Sequence, residues 1–186
     1  YNALSTEDAH GRNVAIGRDA LKLQDAGADG YNTAIGYVAG ANVTTGTLNT
    51  IVGGRAGDAL TTGDSNVAIG YLALSAETLG DRNVAVGRGA LQNQNNTSDT
   101  DVYNIAVGYN AGANVTTGVD NTLIGGLAGD SLTTGSYNVA IGKSSLQAED
   151  EHGRNVAIGY NTLATQNAGA DAYNVAIGHN AGTLVS

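Results

Sequence analysis

The chain has no cysteine, proline, methionine, tryptophan or phenylalanine, and only eight lysines and arginines. Each absence removes a class of explanation. Without cysteine there is neither a disulfide framework nor a thiolate metal site. Eight basic residues stand against 17 acidic ones, a formal net charge of −9. No basic stripe can neutralise phosphates, so neither nucleic acid nor an anionic membrane surface is an expected partner. No apolar run approaches the ~20 residues of a membrane span, so no membrane insertion is expected of this segment, and none of the sequence reads as a signal peptide. The large core-fillers are also scarce. Leucine, isoleucine and valine make up 39 of 186 residues, a share close to that of disordered acidic chains. Only their arrangement can specify a fold.

That arrangement is a repeat. The unit Asn-x-[Ala/Ile/Leu]-[Ile/Val]-Gly opens at Asn13, Asn32, Asn49, Asn66, Asn83, Asn104, Asn121, Asn138, Asn155 and Asn174, with spacings of 19, 17, 17, 17, 21, 17, 17, 17 and 19 residues. A longer period overlies it. Arg12, Arg82 and Arg154 precede every fourth unit, and the longer spacings follow those same units, so the module is four coils in 70 to 72 residues. Residues 1–186 read as a single repeat domain, cut mid-coil at both ends and expected to be a fragment of a longer array.

Within a unit such as Asn13-Val14-Ala15-Ile16-Gly17, Val14 and Ile16 point to one face of a short strand and Ala15 to the other. Glycine ends the strand where a positive φ is needed. A second short strand is expected at Gly-x-x-Ala-[Leu/Gly], through Ala20, Ala39, Ala56, Ala73, Ala90, Ala111, Ala128 and Ala181, with Ser145 and Thr162 in the remaining coils. Thr-Thr-Gly corners at 44–46, 61–63, 116–118 and 133–135 mark the next bend. A helix is excluded, since each of the 28 glycines would cost its interior ~1 kcal/mol. The expectation is an all-β parallel roll of about ten coils, a rod roughly 50 Å long at ~4.8 Å per coil. Its ten motif asparagines would stack as a ladder of amides and take the left-handed backbone of a corner. Either strand face could be the inner one; the narrow interior suits alanine. One apolar stripe (Val14/Ile16, Thr33/Ile35, Val67/Ile69) is then left exposed, and self-association would bury it.

These units resemble the head repeats of YadA-type trimeric autotransporter adhesins, and similar units occur in tail-fibre and other surface-fibre proteins of phages. The likeness spans essentially the whole chain. It implies a left-handed parallel β-roll, a homotrimer, and an extracellular, cell-surface segment of an adhesin head or stalk that attaches to a host matrix protein or surface glycan. In that family the motif itself is implicated in collagen binding, which maps here to 13–17 and 155–159. The alternative is a structural shaft in a phage or viral tail fibre, placing the chain on a virion. The coils here are longer than the family's, and no heptad stalk, neck or membrane anchor is present.

No enzyme, cofactor or metal site is expected. His10 and His152 read as solvated corner residues, and Asp99-Thr100-Asp101 as an acidic loop too poor in ligands for calcium. Arg12, Arg82 and Arg154 would form rows that ion-pair across chains or hold an anion. The insertions at 22–30, 92–101 and 164–172 are the expected recognition loops, with Asp25, Asp29, Asn95, Asn96, Asp99, Asp101, Asn167 and Asp171 as candidates.

Overall fold

The computed structural model of the chain describes residues 1–7, 11–167 and 169–184. Each motif asparagine is followed at once by a three-residue strand: β1 (Val14–Ile16), β2 (Thr33–Ile35), β3 (Thr50–Val52), β4 (Val67–Ile69), β5 (Val84–Val86), β6 (Ile105–Val107), β7 (Thr122–Ile124), β8 (Val139–Ile141), β9 (Val156–Ile158) and β10 (Val175–Ile177). All ten lie parallel in one sheet whose strand order is the chain order. The motif fixes the register, placing Ala15 beside Ala34 and Ala34 beside Ile51. The chain is thus an all-β parallel solenoid, one coil per motif.

The middle residue of each strand faces inward. Ala34, Ile51, Ala68, Ala85, Ala106, Leu123, Ala140 and Ala157 are fully buried, whereas Ile16 and Val175 on the outer face are 59 % and 71 % exposed. Strands end at a glycine column. Gly17, Gly36, Gly53 and their successors have φ between 125° and 145°, and a Cβ on Gly53 would lie 2.6 Å from the Gly70 carbonyl oxygen. The backbones stack too closely there for any side chain.

The expected second strand does not form. Its alanines, Ala181 in the last coil apart, are buried, but they sit in consecutive turns. Ala20 N–H donates to the Gly17 carbonyl at 3.4 Å, and Asp19 between them has φ 57°. That is the φ signature of a type II turn. Leu21 is left-handed as well (φ 46°), so the backbone cannot be extended there. The chain needs the extra curvature because three residues of strand leave it fourteen in which to close a 17-residue coil. Coil-to-coil hydrogen bonds still hold this side, as from Leu21 N–H to the Ala39 carbonyl (3.1 Å). Where alanine is replaced, the hydroxyls of Ser145 and Thr162 donate to the carbonyls of Gly142 (2.8 Å) and Gly178 (2.7 Å).

The turn side also explains the two large residues in the alanine column. Eight residues after the motif asparagine stands either leucine (Leu21, Leu74, Leu91, Leu146, Leu163) or glycine (Gly40, Gly57, Gly112, Gly129, Gly182). A Cβ on Gly40 would meet Ile51 Cδ1 at 2.8 Å and Leu21 Cδ2 at 3.1 Å; on Gly112, Leu123 Cδ1 at 2.6 Å and Leu91 Cδ2 at 3.0 Å. Ile51 and Leu123 therefore occupy space that the glycines vacate. Three residues further on, the glycine coils supply Val43, Leu60, Val115 and Leu132, while the leucine coils supply buried Gln24, Glu77, Gln94, Glu149 and Gln166.

The asparagines do form a ladder, with a different rung from the one expected. Each side-chain oxygen accepts from the next asparagine's backbone N–H: Asn49 to Asn32 (2.9 Å), Asn66 to Asn49 (2.8 Å), Asn83 to Asn66 (2.9 Å), and so through Asn104, Asn121, Asn138, Asn155 and Asn174. Asn32 N–H likewise donates to Asn13 Oδ1 at 2.7 Å. Most side-chain amides then donate to a corner carbonyl, as Asn66 does to Gly80 at 2.9 Å. Direct amide-to-amide bonds occur at a few steps, such as Asn138 to Asn121. Nor are these asparagines left-handed. The residue before each one is, from Arg12 (φ 56°) to Tyr173 (φ 52°).

Candidate functional site

Two columns flank the outer sheet face. One is the residue before each asparagine: Arg12, Tyr31, Leu48, Ser65, Arg82, Tyr103, Asp120, Tyr137, Arg154 and Tyr173. Its left-handed backbone turns the side chain outward at the strand's entry. The other follows the motif glycine and includes Arg18, Tyr37, Tyr71, Arg88, Tyr109, Lys143, Tyr160 and His179. With Tyr1, in register with Tyr71, these columns hold all nine tyrosines and five of the six arginines. Every tyrosine is at least 46 % exposed, so none serves the core.

The columns are organised by cation–π contacts. Arg12 lies 5.5 Å from the Tyr31 ring centre, Arg88 lies 5.5 Å from Tyr109 and 6.0 Å from Tyr71, and Arg154 lies 5.3 Å from Tyr137 and 5.7 Å from Tyr173. Tyr160 and His179 stack with ring centres 5.0 Å apart. Between the columns run the valines, isoleucines and threonines of ten strands. The result is one continuous face of β-branched apolar residues edged by tyrosine and arginine. That composition marks the centres of protein–protein interfaces, where tyrosine and arginine are enriched and lysine and glutamate depleted. Among the described residues there is no surface pocket that would offer a different kind of site.

Compared with family models, with curated proteins and with solved structures, the chain has no significant match. The functional reading therefore rests on the residues themselves. Among the described residues no helix is long and apolar enough to cross a membrane.

The arginine rows have partners within their own chain. Arg12 pairs with Asp29 at 3.1 Å, Arg82 with Asp101 and Arg154 with Asp171. Tyr31 and Tyr103 donate to the same aspartates, Asp29 and Asp101. The Tyr31 hydroxyl, and then the Asp29 charge, raise the Arg12 pKa above its ordinary value. Each acid comes from an insertion, so the insertions are tied back to the arginine one coil away. Their remaining candidates divide. Asp25, Asn95, Asp99 and Asn167 are exposed. Asn96 is buried, its backbone N–H and side-chain amide both donating to Glu77, so it is architectural.

Glu77 shows what the sequence reading passed over. Fully buried, its Oε1 accepts from the N–H groups of Thr78 (2.9 Å), Leu79 (3.1 Å) and Gly80 (2.8 Å), and its Oε2 from Gln94 (2.9 Å). Gln94 in turn accepts from Asn104 at 2.9 Å. Glu149, Gln166 and Asn174 repeat the chain of bonds. The signal was present as a glutamate or glutamine at one fixed offset in every leucine-bearing coil. His152 is similarly more enclosed than a solvated corner residue, with its side chain 28 % exposed and Nδ1 3.8 Å from Glu149 Oε1. His10 lies outside the described residues.

Two equivalent corners differ in one charge. Arg55 pairs with Asp58 at 3.0 Å, but in the matching coil Leu127 replaces the arginine and Asp130 Oδ1 is buried without a hydrogen bond. Burial raises the Asp130 pKa; burial and then the charges of Asp99 and Asp64 raise that of Asp81. A raised carboxyl pKa favours folding at low pH, and this contribution is lost as pH rises through the folded-state value. Urea unfolding should therefore find the Leu127→Arg variant about 0.5–1 kcal/mol more stable at pH 7, with a smaller benefit at pH 4. An equal gain at both pH values would rule out a restored ion pair.

Proposed function

We propose that the chain is a rod segment of an extracellular surface adhesin, associating with copies of itself through the tyrosine- and arginine-edged sheet face and presenting its inserted loops outward. The observation that carries this reading is the face itself. It runs the length of ten strands and is apolar along its middle, and its composition suits burial against protein. A monomer exposing so long an apolar stripe would be prone to aggregate, whereas a closed symmetric assembly buries the same stripe on every copy. Resemblance to the heads of trimeric autotransporter adhesins supplies three as the copy number, left-handedness as the winding and attachment as the role. Repetition of weak sites along a rigid rod gives strong attachment without a deep pocket.

One pair of measurements tests the proposal. Sedimentation equilibrium should return three times the 18.6 kDa chain mass. Beads coated with the protein should adhere to matrix protein or glycan surfaces and should lose adhesion when the insertions at 22–30, 92–101 and 164–172 are cut to a plain 17-residue coil. A clean monomer would sink the assembly. Undiminished adhesion by the trimmed rod would sink the role given to the loops.

A further inference from the structure

We infer that the corner formed by Glu149, Asp150 and His152 is a binding site for a divalent transition-metal ion. One carboxylate oxygen from each acid and one imidazole nitrogen lie within 4.8 Å of one another. A tetrahedral ion bonded at about 2.0–2.2 Å holds its ligand atoms about 3.4 Å apart, so side-chain rotation must draw this set together by about 1 Å. Mixed imidazole and carboxylate donors suit zinc and its neighbours rather than calcium or magnesium, which take oxygen.

Two further observations point to a ligand. The first is His152 Nδ1, which is buried and has no hydrogen-bond partner. Its nearest carboxylate oxygen, Glu149 Oε1 at 3.8 Å, is too far for a hydrogen bond yet well placed for a shared cation. The second is an internal comparison. The same corner one module earlier reads Glu77-Thr78-Leu79-Gly80, without the aspartate and histidine, and there Glu77 Oε1 receives three successive backbone N–H groups. In the Glu149 corner the second of those N–H groups, from Glu151, goes instead to Asp150 Oδ1 at 2.7 Å. The Glu77 corner thus closes without the aspartate and histidine that the Glu149 corner carries.

That pair recurs in sequence: Glu7-Asp8-x-His10-Gly11-Arg12-Asn13 matches Glu149-Asp150-x-His152-Gly153-Arg154-Asn155. Gln166 Nε2 donates to Glu149 Oε2 at 3.0 Å and to Asn155 Oδ1 at 3.1 Å. A metal there would be joined to the asparagine ladder through one side chain, and loading it would stiffen the stack as well as the corner.

With only three histidines in the chain, the test can be read residue by residue. Chelator-treated full-length protein labelled with ¹⁵N-histidine would be titrated with zinc chloride and followed by imidazole nitrogen spectra. The His152 Nδ1 resonance should move to its metal-bound position, and Asp150→Asn should weaken zinc at this corner by more than about tenfold. Zinc-free melting of that variant should match the parent, because asparagine keeps the Oδ1 that accepts from Glu151 N–H. Zinc that perturbs only His179, leaves His152 unmoved, or binds Asp150→Asn as tightly as the parent would overturn the assignment. So would a His152 response identical to that of simple acidification, since a protonated His152–Glu149 pair would then account for the geometry.

Discussion

Replacing Gly53 by alanine should destabilise the rod by about 4 kcal/mol or more, while the same change at Gly54, the next residue, should be nearly silent. At Gly53 φ is +131°, and a Cβ would sit 2.6 Å from the Gly70 carbonyl oxygen and 2.7 Å from its carbon. Those atoms are backbone, so nothing can rotate away. Relief requires β3 and β4 to separate, and the hydrogen bond from Gly53 N–H to the Ile35 carbonyl (2.8 Å) holds the glycine from the other side. At Gly54 the nearest atom to a Cβ is Tyr71 Cδ2 at 3.6 Å, an ordinary contact, and φ is not positive. Because coils touch only their neighbours, the damage should be local: hydrogen exchange should show lost protection in β2 to β4 with the distal coils still closed. Equal tolerance at the two positions would show that the column is not close-packed.

The second large effect is expected at the ladder. Asn66→Leu should cost about 3–6 kcal/mol, because two buried backbone groups lose their partners at once. Asn66 Oδ1 accepts from Asn83 N–H at 2.9 Å, and its amide donates to the Gly80 carbonyl at 2.9 Å. Leucine leaves both unpaired and is too large for a slot where Asn66 is already fully buried. Asn66→Asp is the informative companion. It keeps the acceptor but turns a carboxylate toward the Gly80 carbonyl, so it should also destabilise at pH 7 and recover in part when acid restores a donor. If aspartate were tolerated at neutral pH, the amide nitrogen would have no structural duty. Thermal unfolding of the three proteins at pH 7 and pH 4 decides between these outcomes.

The strand side of the coil was legible because every requirement there is local and repeated. A β-branched residue, a small one and another β-branched residue between asparagine and glycine allow one conformation, and ten copies in register allow one stacking. The turn side was not. Leu21, Val38 and Leu72 all have positive φ, yet leucine and valine disfavour that region. Their backbones are held by the coils on either side, through bonds such as Val38 N–H to the Arg18 carbonyl, and no local preference reports such a neighbour. The arginine partners were hidden for a related reason. Asp29, Asp101 and Asp171 each stand three residues before the next motif asparagine, so the recurrence shows only when the insertions are aligned from their far ends, and their pairing with Arg12, Arg82 and Arg154 only when coils are stacked. The tyrosine columns, one residue before the asparagine and one after the glycine, were missed because they show only when coils are read down the stack rather than along the chain.

The exchange of volume between Gly40 and Ile51, and again between Gly112 and Leu123, bears on how such a chain can change in length. A gene that lost one glycine coil would set a leucine against Ile51 or Leu123, or leave a glycine facing an alanine across an unfilled gap, and one that lost a leucine coil would part Glu77 from Gln94. Deletion or duplication of four coils brings every large residue back beside its matching small one. Length variants of this rod should therefore differ by whole modules of 70 to 72 residues, even though the hydrogen-bonded repeat is a single coil. The heritable unit is four times the structural one.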